Sequence, residues 1–298
     1  MLIRFVVALA AFAFAGGAFA QLLTERKIFT LPQYTTVGGK TIKDVRIGYE
    51  SYGKLNAAGD NAIYIAHFLT GDSHAAGRYK ADDKMPGYWD SLIGPGKPFD
   101  TDRYFVLAAD TLVNVNSRYP NATAGPASFD PDSGRPWGMR FPIVTMRDFV
   151  NVQKALADSL GIKKFAAVAG PSMGSLQVME WAAAYPDMVE RAIPVAPGGF
   201  EANPYVSETM DENAFLYLVR AIQLYQVQDV GRIRAKVLAV PAKSDLLIRP
   251  DTTRKMVATL KAQGTQVEEF EIDGDGGRFD GIFNVARAGD AIRAFLKK

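Results

Sequence analysis

The pentapeptide Gly170-Pro171-Ser172-Met173-Gly174 constrains the fold of this chain more than any other stretch. An apolar run of strand character, 165–169, precedes it, and a segment without helix breakers follows to about Tyr185. A Gly-x-Ser-x-Gly turn between a strand and a helix holds its serine in a strained backbone conformation that only small neighbours permit. A chance turn of small residues is the alternative, but the flanking elements favour a nucleophile elbow with Ser172 as the nucleophile.

Two backbone N–H groups are candidates to bind the oxyanion of a tetrahedral intermediate. The helix after Ser172 presents unpaired N–H groups and its positive dipole end, which makes Met173 the first donor. In an open α/β sheet the site is built from loops at the carboxyl ends of strands. The loop after the predicted strand 61–67 therefore supplies the second donor, and we assign it to Leu69.

Asp245 is the candidate acid. It lies just beyond the predicted strand 236–241, where a fold of this kind commonly presents a carboxylate, and the chain order is serine, then aspartate. The alternative is an aspartate that caps a surface helix, with Pro250 close to the start of that helix.

Alternating strands and helices predict an α/β domain with a mostly parallel sheet that helices cover on both faces. The predicted strands are 27–31, 42–52, 61–67, 104–109, 165–169, 192–195, 236–241 and 267–272, and the predicted helices are 145–160, 173–185, 212–225 and 286–295. Thr145 and Asp148 form a capping-box pattern at the first of these helices. No repeat or linker divides residues 21–298, so we expect a single domain.

Composition excludes several kinds of function. The 34 Lys and Arg residues nearly balance the 32 Asp and Glu residues without a basic run, which argues against nucleic acid or an anionic membrane surface as a partner. The sequence has no cysteine and two histidines, so we expect neither a metal site nor a cofactor.

The first twenty residues have the pattern of a signal peptide. Arg4 precedes an apolar run, 5–15, and Ala18-Phe19-Ala20 is a small-x-small cleavage site. An uncleaved anchor is the alternative, but the apolar run is shorter than a membrane span. We expect a mature chain that begins at Gln21, lies in the periplasm or outside the cell, and is free of the membrane after cleavage.

Several stretches resemble one family closely. They are 47–56, 67–77, 89–104, 141–148, 170–185 and 213–220. By these motifs the chain resembles the homoserine O-acetyltransferase branch of the α/β-hydrolase superfamily. The resemblance implies an α/β-hydrolase fold, Ser172 as the acyl-accepting nucleophile, Asp245 as the triad acid, and Leu69 and Met173 as oxyanion donors. It also implies acetyl-CoA and homoserine as substrates.

The sequence departs from the family pattern at two places. Only residues 197–211 occupy the interval in which family members carry a helical lid, so we expect a vestigial lid. The triad histidine is expected in the segment Gly276-Gly277-Arg278, and Arg278 occupies its place. Arginine stays protonated and does not accept the serine proton. His67 and His74 are expected to be structural, with His74 as an alternative base and Asp280 as a weaker one.

Two functions remain open at this point. The first is a serine-dependent acyltransferase or esterase that acts through Ser172 on a small ester or thioester, with impaired base catalysis and a homodimer as a candidate assembly. The second is an inactive binding protein on the same fold, which the missing histidine and the altered segment 110–114 favour. A degenerate copy with exposed apolar surface is a third reading.

Overall fold

The computed structural model describes residues 22–115, 123–197, 212–227 and 229–298 of the 298-residue chain. The predicted signal peptide, 1–20, lies outside the described residues, as does nearly all of the predicted vestigial lid, 197–211. In the described part of the chain, no helix is long and apolar enough to cross a membrane.

Strands and helices alternate along the chain as the sequence pattern predicts. The strands are β1 Lys27–Thr35, β2 Thr41–Tyr52, β3 Ala62–Ala66, β4 Ile93–Gly94, β5 Phe99–Asp100, β6 Phe105–Ala109, β7 Phe129–Asp130, β8 Arg135–Pro136, β9 Phe165–Pro171, β10 Arg191–Val195, β11 Lys236–Ala239 and β12 Val267–Glu269. The helices are α1 Met146–Ser159, α2 Met173–Ala184, α3 Glu212–Gln223, α4 Pro250–Ala262 and α5 Gly289–Phe295.

Eight of the strands form one sheet in the order β1-β2-β6-β3-β9-β10-β11-β12. The pairs from β6 to β12 are parallel, whereas β1 with β2 and β2 with β6 are antiparallel. This confirms the predicted mostly parallel sheet. β9 lies in the interior of the sheet between β3 and β10, so the serine turn at its end lies near the middle of one edge.

Each face of the sheet carries its own apolar cluster. Alternate residues of β3 divide between them, with Tyr64 in the cluster that contains α1 and α2 and Ile65 in the cluster that contains α5. Trp181 of α2 is fully buried in the first cluster, and Trp89 is 1% exposed in the second. Helices therefore cover both faces, as predicted.

The elements differ from the sequence prediction mainly at their ends. The pattern missed α4, although Pro250 at its first position is a typical helix start. β12 ends at Glu269 and not at residue 272, although an isolated parallel bridge between Ile272 and Ala242 continues the pairing beyond it. The predicted helix 286–295 begins as a 3-10 turn, Val285–Ala288, and only then becomes α5.

Candidate active site

Ser172 lies on a sharp turn between β9 and α2 and has a left-handed backbone conformation, with φ 58° and ψ −121°. Its N–H donates to the carbonyl of Val195 at 3.0 Å, which ties the turn to the end of β10. A Cβ at Gly170 would lie 2.5 Å from the Ala66 carbonyl oxygen, and one at Gly174 would lie closer still. The strained serine is thus held by a packing arrangement that only glycine permits at these two positions.

Asp245 is buried just beyond β11, with its side chain 1% exposed. Its Oδ1 accepts hydrogen bonds from the backbone N–H groups of Leu247 and Ile248, both at 2.9 Å. These two bonds orient the carboxylate and direct Oδ2 towards Arg278. The aspartate also precedes α4 in the chain, but Arg249 and not Asp245 is the N-cap of that helix.

Arg278 bridges the acid and the serine. Its Nη1 donates to Oδ2 of Asp245 at 2.7 Å, and its Nη2 donates to Oγ of Ser172 at 2.6 Å. Burial lowers the pKa of the guanidinium, and the Asp245 carboxylate opposes that shift. Since arginine remains charged in proteins, the group next to Oγ is a permanent hydrogen-bond donor. The order acid, linking residue, serine is that of a catalytic triad, with a cation in the middle position.

The loop that carries Arg278 is held by Asp280. This side chain is 1% exposed and accepts from Asn284 Nδ2 at 2.7 Å and from the N–H of Gly276 at 2.8 Å. The hydrogen bond from Asn284 is the main cause that lowers the pKa of Asp280. Asp280 therefore turns into its own loop, and its hydrogen bonds to Gly276 and Asn284 give no support to it as a base for Ser172.

The predicted oxyanion donors lie on two segments that meet. α2 packs against the end of β3, where Gln177 Nε2 donates to the carbonyl of His67 at 3.4 Å. Within the described residues, neither the Leu69 N–H nor the Met173 N–H donates a hydrogen bond. Both groups are thus available to a ligand, and their role as an oxyanion hole stays a prediction.

The two histidines are held by partners other than Ser172. His67 is buried, its Nδ1 lies 2.7 Å from the Phe68 carbonyl, and its Nε2 accepts from the Thr111 N–H at 3.0 Å. Burial lowers the pKa of His67. His74 Nδ1 lies 3.2 Å from Glu50 Oε2. No recorded hydrogen bond joins either ring to the serine, so the geometry gives no support to His74 as a replacement base for Ser172.

Curated relatives decide the family of the chain. A homoserine O-acetyltransferase from Symbiobacterium thermophilum is 32% identical over 373 residues, an alignment that covers 93% of this chain and 96% of that protein. The chain belongs to the homoserine O-acetyltransferase family. No protein-family model matches it.

A second relative matches more strongly but over a shorter stretch. The homoserine O-acetyltransferase from Methanococcoides burtonii is 51% identical over 164 residues, which is 55% of this chain. The match spans only 33% of the length of that relative. The activity of the whole relative is therefore a proposal for this chain and not a finding.

Solved structures confirm the α/β-hydrolase fold and include two kinds of enzyme. The crystal structure of esterase E22 has a TM-score of 0.86 at 37% identity and covers 92% of this chain and all of that chain. The crystal structure of homoserine O-acetyltransferase from Bacillus anthracis has a TM-score of 0.86 at 28% identity. The match covers 93% of this chain and 98% of that chain. The same scaffold is thus described for an esterase and for an acetyltransferase.

Sequence reasoning did not find two features of this family member. It placed Arg278 in the histidine position but did not predict that one guanidinium would contact Ser172 and Asp245 together. It also did not single out Glu50, a fully buried carboxylate on β2. The sequence signal for Glu50 was a charged residue at one of the positions of β2 where alternate side chains face the core.

Proposed function

We propose that this protein is a serine-dependent acyltransferase or esterase that forms an acyl-enzyme on Ser172. The observation that carries the proposal is the strained turn that joins β9 to α2 and places Oγ in a hydrogen bond with Arg278. In the proposed reaction Oγ attacks the carbonyl carbon of a small ester or thioester, and the N–H groups of Leu69 and Met173 bind the resulting oxyanion. The intermediate collapses and expels the alcohol or thiol, which leaves the acyl group on Ser172, and attack by water or an acceptor hydroxyl then frees Oγ and gives the acid or a new ester.

Base catalysis is the weak step of this reaction. A triad histidine first accepts the serine proton and later donates it to the leaving group. Arg278 always carries the positive charge that a triad histidine acquires only after it has accepted the proton. It therefore stabilises a serine alkoxide but does not accept the proton. The proton must then go to solvent or to the leaving group, and we propose slow turnover that favours good leaving groups.

The lid and the acceptor form a second part of the proposal. The alignment with the Symbiobacterium relative runs over more positions than the 298 residues of this chain, so it contains gaps in this chain. We propose that these gaps fall at the lid and that the lid is reduced to residues 197–211. A less covered serine would be open to water, which favours hydrolysis over transfer to homoserine. The likeness to esterase E22 also supports hydrolysis.

The test is acyl-enzyme trapping. The mature protein and a Ser172→Ala control are incubated with a fluorophosphonate probe and with p-nitrophenyl acetate. Labelling of Ser172 and turnover that the control abolishes are the expected results. Absence of both in the folded protein would overturn the proposal.

A binding protein on the same scaffold is the second candidate, and the Arg278 bridge is the observation that favours it. In the part of the chain that the structure describes, no base is hydrogen-bonded to Ser172, and a serine that accepts a hydrogen bond from a cation is well placed to hold a ligand without reacting. If Ser172 stays unlabelled while Arg278→His is labelled and turns over, this second function is supported.

We also propose that the chain is exported. The support is the n-region, apolar run and cleavage site within residues 1–20. Expression of the full chain in a Gram-negative host should yield a periplasmic protein whose mass corresponds to a first residue Gln21. A full-length mass in the cytoplasm or membrane fraction would contradict export. Light scattering of the same sample tests the proposed homodimer.

A further inference from the structure

A cavity of about 610 Å³ adjoins the serine site but does not contain it. The residues that line the cavity include Phe68, Asp72, His74, Tyr79, Asp90 and Phe283. Phe68 precedes the proposed oxyanion donor Leu69, and Phe283 stacks on Phe279, the neighbour of Arg278. The volume is that of a small-molecule pocket.

One wall of the cavity has an imidazole held by a buried carboxylate. Glu50 is fully buried and accepts hydrogen bonds from the hydroxyls of Tyr79 at 2.6 Å, Tyr52 at 2.8 Å and Thr24 at 3.2 Å. His74 Nδ1 is its fourth neighbour, at 3.2 Å. Because all the other neighbours donate, Glu50 acts as the acceptor and the ring proton of His74 belongs on Nδ1.

In the neutral imidazole this arrangement leaves Nε2, the other ring nitrogen of His74, as a fixed acceptor. The Tyr79 ring stacks on the imidazole, with 4.3 Å between ring centroids and an interplanar angle of 20°. The imidazole is therefore held at Nδ1 by Glu50 and on one face by Tyr79. No hydrogen bond to Nε2 is recorded within the described residues, and the side chain is 17% exposed. A rigid acceptor beside a cavity suits an N–H or O–H donor from a ligand.

The remaining walls favour an apolar group and disfavour an anion. Phe68 contacts Tyr88 at 5.2 Å and Phe283 at 5.5 Å between ring centroids, both in edge arrangements. The lining includes the carboxylates of Asp72, which pairs with Arg26 at 3.8 Å, and of Asp90, which pairs with Lys97 at 3.3 Å, and it contains neither lysine nor arginine. A carboxylate or phosphate ligand would therefore meet two carboxylates whose cations lie outside the lining.

We propose that this cavity binds a small molecule with a hydroxyl or amino group on an apolar frame. The O–H or N–H donates to Nε2 of His74, and the apolar frame packs on Phe68 and Phe283. The inference does not depend on catalysis by Ser172, because none of Ser172, Asp245 and Arg278 lines the cavity.

The first test uses the fact that the chain has only two histidines. Long-range proton–nitrogen spectra of protein labelled with ¹⁵N-histidine should show the Nδ1–H tautomer for His74. Benzyl alcohol and benzylamine should shift Nε2 of His74 and leave His67 unchanged, whereas benzoate should shift neither. A proton on Nε2, an equal response to benzoate, or no response to the alcohol and the amine would overturn the proposal.

The second test uses variants of the full chain and calorimetric binding of benzyl alcohol. His74→Phe keeps a ring to stack on Tyr79 but removes the acceptor, and we expect at least about tenfold weaker binding. Phe283→Ala removes an aromatic wall that is 47% exposed, so the variant should fold and bind several-fold more weakly. Phe129→Ala is the matched control, because Phe129 is 59% exposed and lies outside the cavity.

Unchanged affinity in Phe283→Ala would overturn the proposal even if His74→Phe folds poorly, because the two variants give independent answers. Fluorophosphonate labelling of the same variants keeps the two proposals apart. Loss of benzyl alcohol binding with normal labelling concerns the cavity alone, and loss of labelling with normal binding concerns Ser172 alone.

Discussion

At the scale of single residues, position 278 decides what the site does. The guanidinium of Arg278 donates one hydrogen bond to Oδ2 of Asp245 at 2.7 Å and another to Oγ of Ser172 at 2.6 Å. Like a triad histidine it donates a hydrogen bond to the aspartate, but unlike a triad histidine it has no nitrogen that accepts the serine proton. Substitutions at this position therefore separate electrostatic stabilisation of Ser172 from proton transfer.

We expect Arg278→His to raise the rate of p-nitrophenyl acetate hydrolysis by roughly 10²- to 10⁴-fold, the usual contribution of a positioned general base. Asp245 is already oriented to hold the Nδ1–H of an imidazole. Arg278→Gln is the control, since it removes the charge without adding a base and should give no gain. Equal rates for the two variants would show that position 278 does not reach the serine.

The pH profiles of the two proteins should differ in shape. With Arg278 protonated throughout, activation requires loss of the Ser172 proton to solvent, so the wild-type rate should keep rising about tenfold per pH unit between pH 6 and 9. The Arg278→His rate should fall as pH drops below about 6.5, where imidazole becomes charged, and level off above it. A wild-type plateau near neutral pH would indicate a different base.

At the scale of elements, the turn between β9 and α2 depends on two close contacts with the end of β3. α2 is a buried helix, and its second residue, Gly174, packs on the backbone of Ala66 and His67. Helix propensity alone would favour alanine at that position by about 1 kcal/mol. The packing of α2 on β3 reverses this preference.

We expect Gly174→Ala to destabilise the fold by about 1–3 kcal/mol and to reduce labelling of Ser172, because its Cβ would force α2 away from β3. Urea unfolding and fluorophosphonate labelling measure the two effects. Gly231→Ala is the matched control, since its Cβ would meet only side-chain oxygens at 3.4 Å and should change stability by less than about 0.5 kcal/mol. A neutral Gly174→Ala would contradict the close approach.

At the scale of the whole molecule, the sheet brings together residues far apart in the chain. Loops after β3, β9 and β11, together with the loop after β12, meet at one edge and carry Leu69, Ser172, Asp245 and Arg278. His67 helps to fix that edge, because its ring links the Phe68 carbonyl to the Thr111 N–H beyond β6. Its hydrogen bonds require the neutral ring.

The pKa of His67 is lowered by burial, so the unfolded chain binds a proton more readily than the folded one. The stability that depends on neutral His67 should be complete above about pH 6.5 and decline as pH falls below it, by at most about 1.4 kcal/mol per pH unit. Urea unfolding at pH 7.5 and 5.5 measures this. His67→Gln should be less stable at pH 7.5 but lose less on acidification, and an equal loss in both proteins would contradict the assignment.

Much of the fold followed from local pattern. The capping box at Thr145 and Asp148 was predicted from their spacing and is formed, with the Thr145 side chain accepting from the Asp148 N–H. The glycines around Ser172 predicted the elbow, because the conformation at φ 58° and the approach to Ala66 need small neighbours. α4 escaped prediction, because its stripe of Thr253, Met256, Val257 and Leu260 is short and its remaining face is polar and exposed.

The sequence by itself determined the β9–α2 turn and the mostly parallel sheet, because each depends on residue identity and local spacing, and it led us to expect Arg278 at the histidine position. Only the tertiary structure decided that Arg278 contacts Asp245 and Ser172 together, since those residues come from three loops. It alone also placed His74 against the buried carboxylate of Glu50 and in the lining of a cavity. Such contacts join residues distant in the chain, and local periodicity carries no information about them.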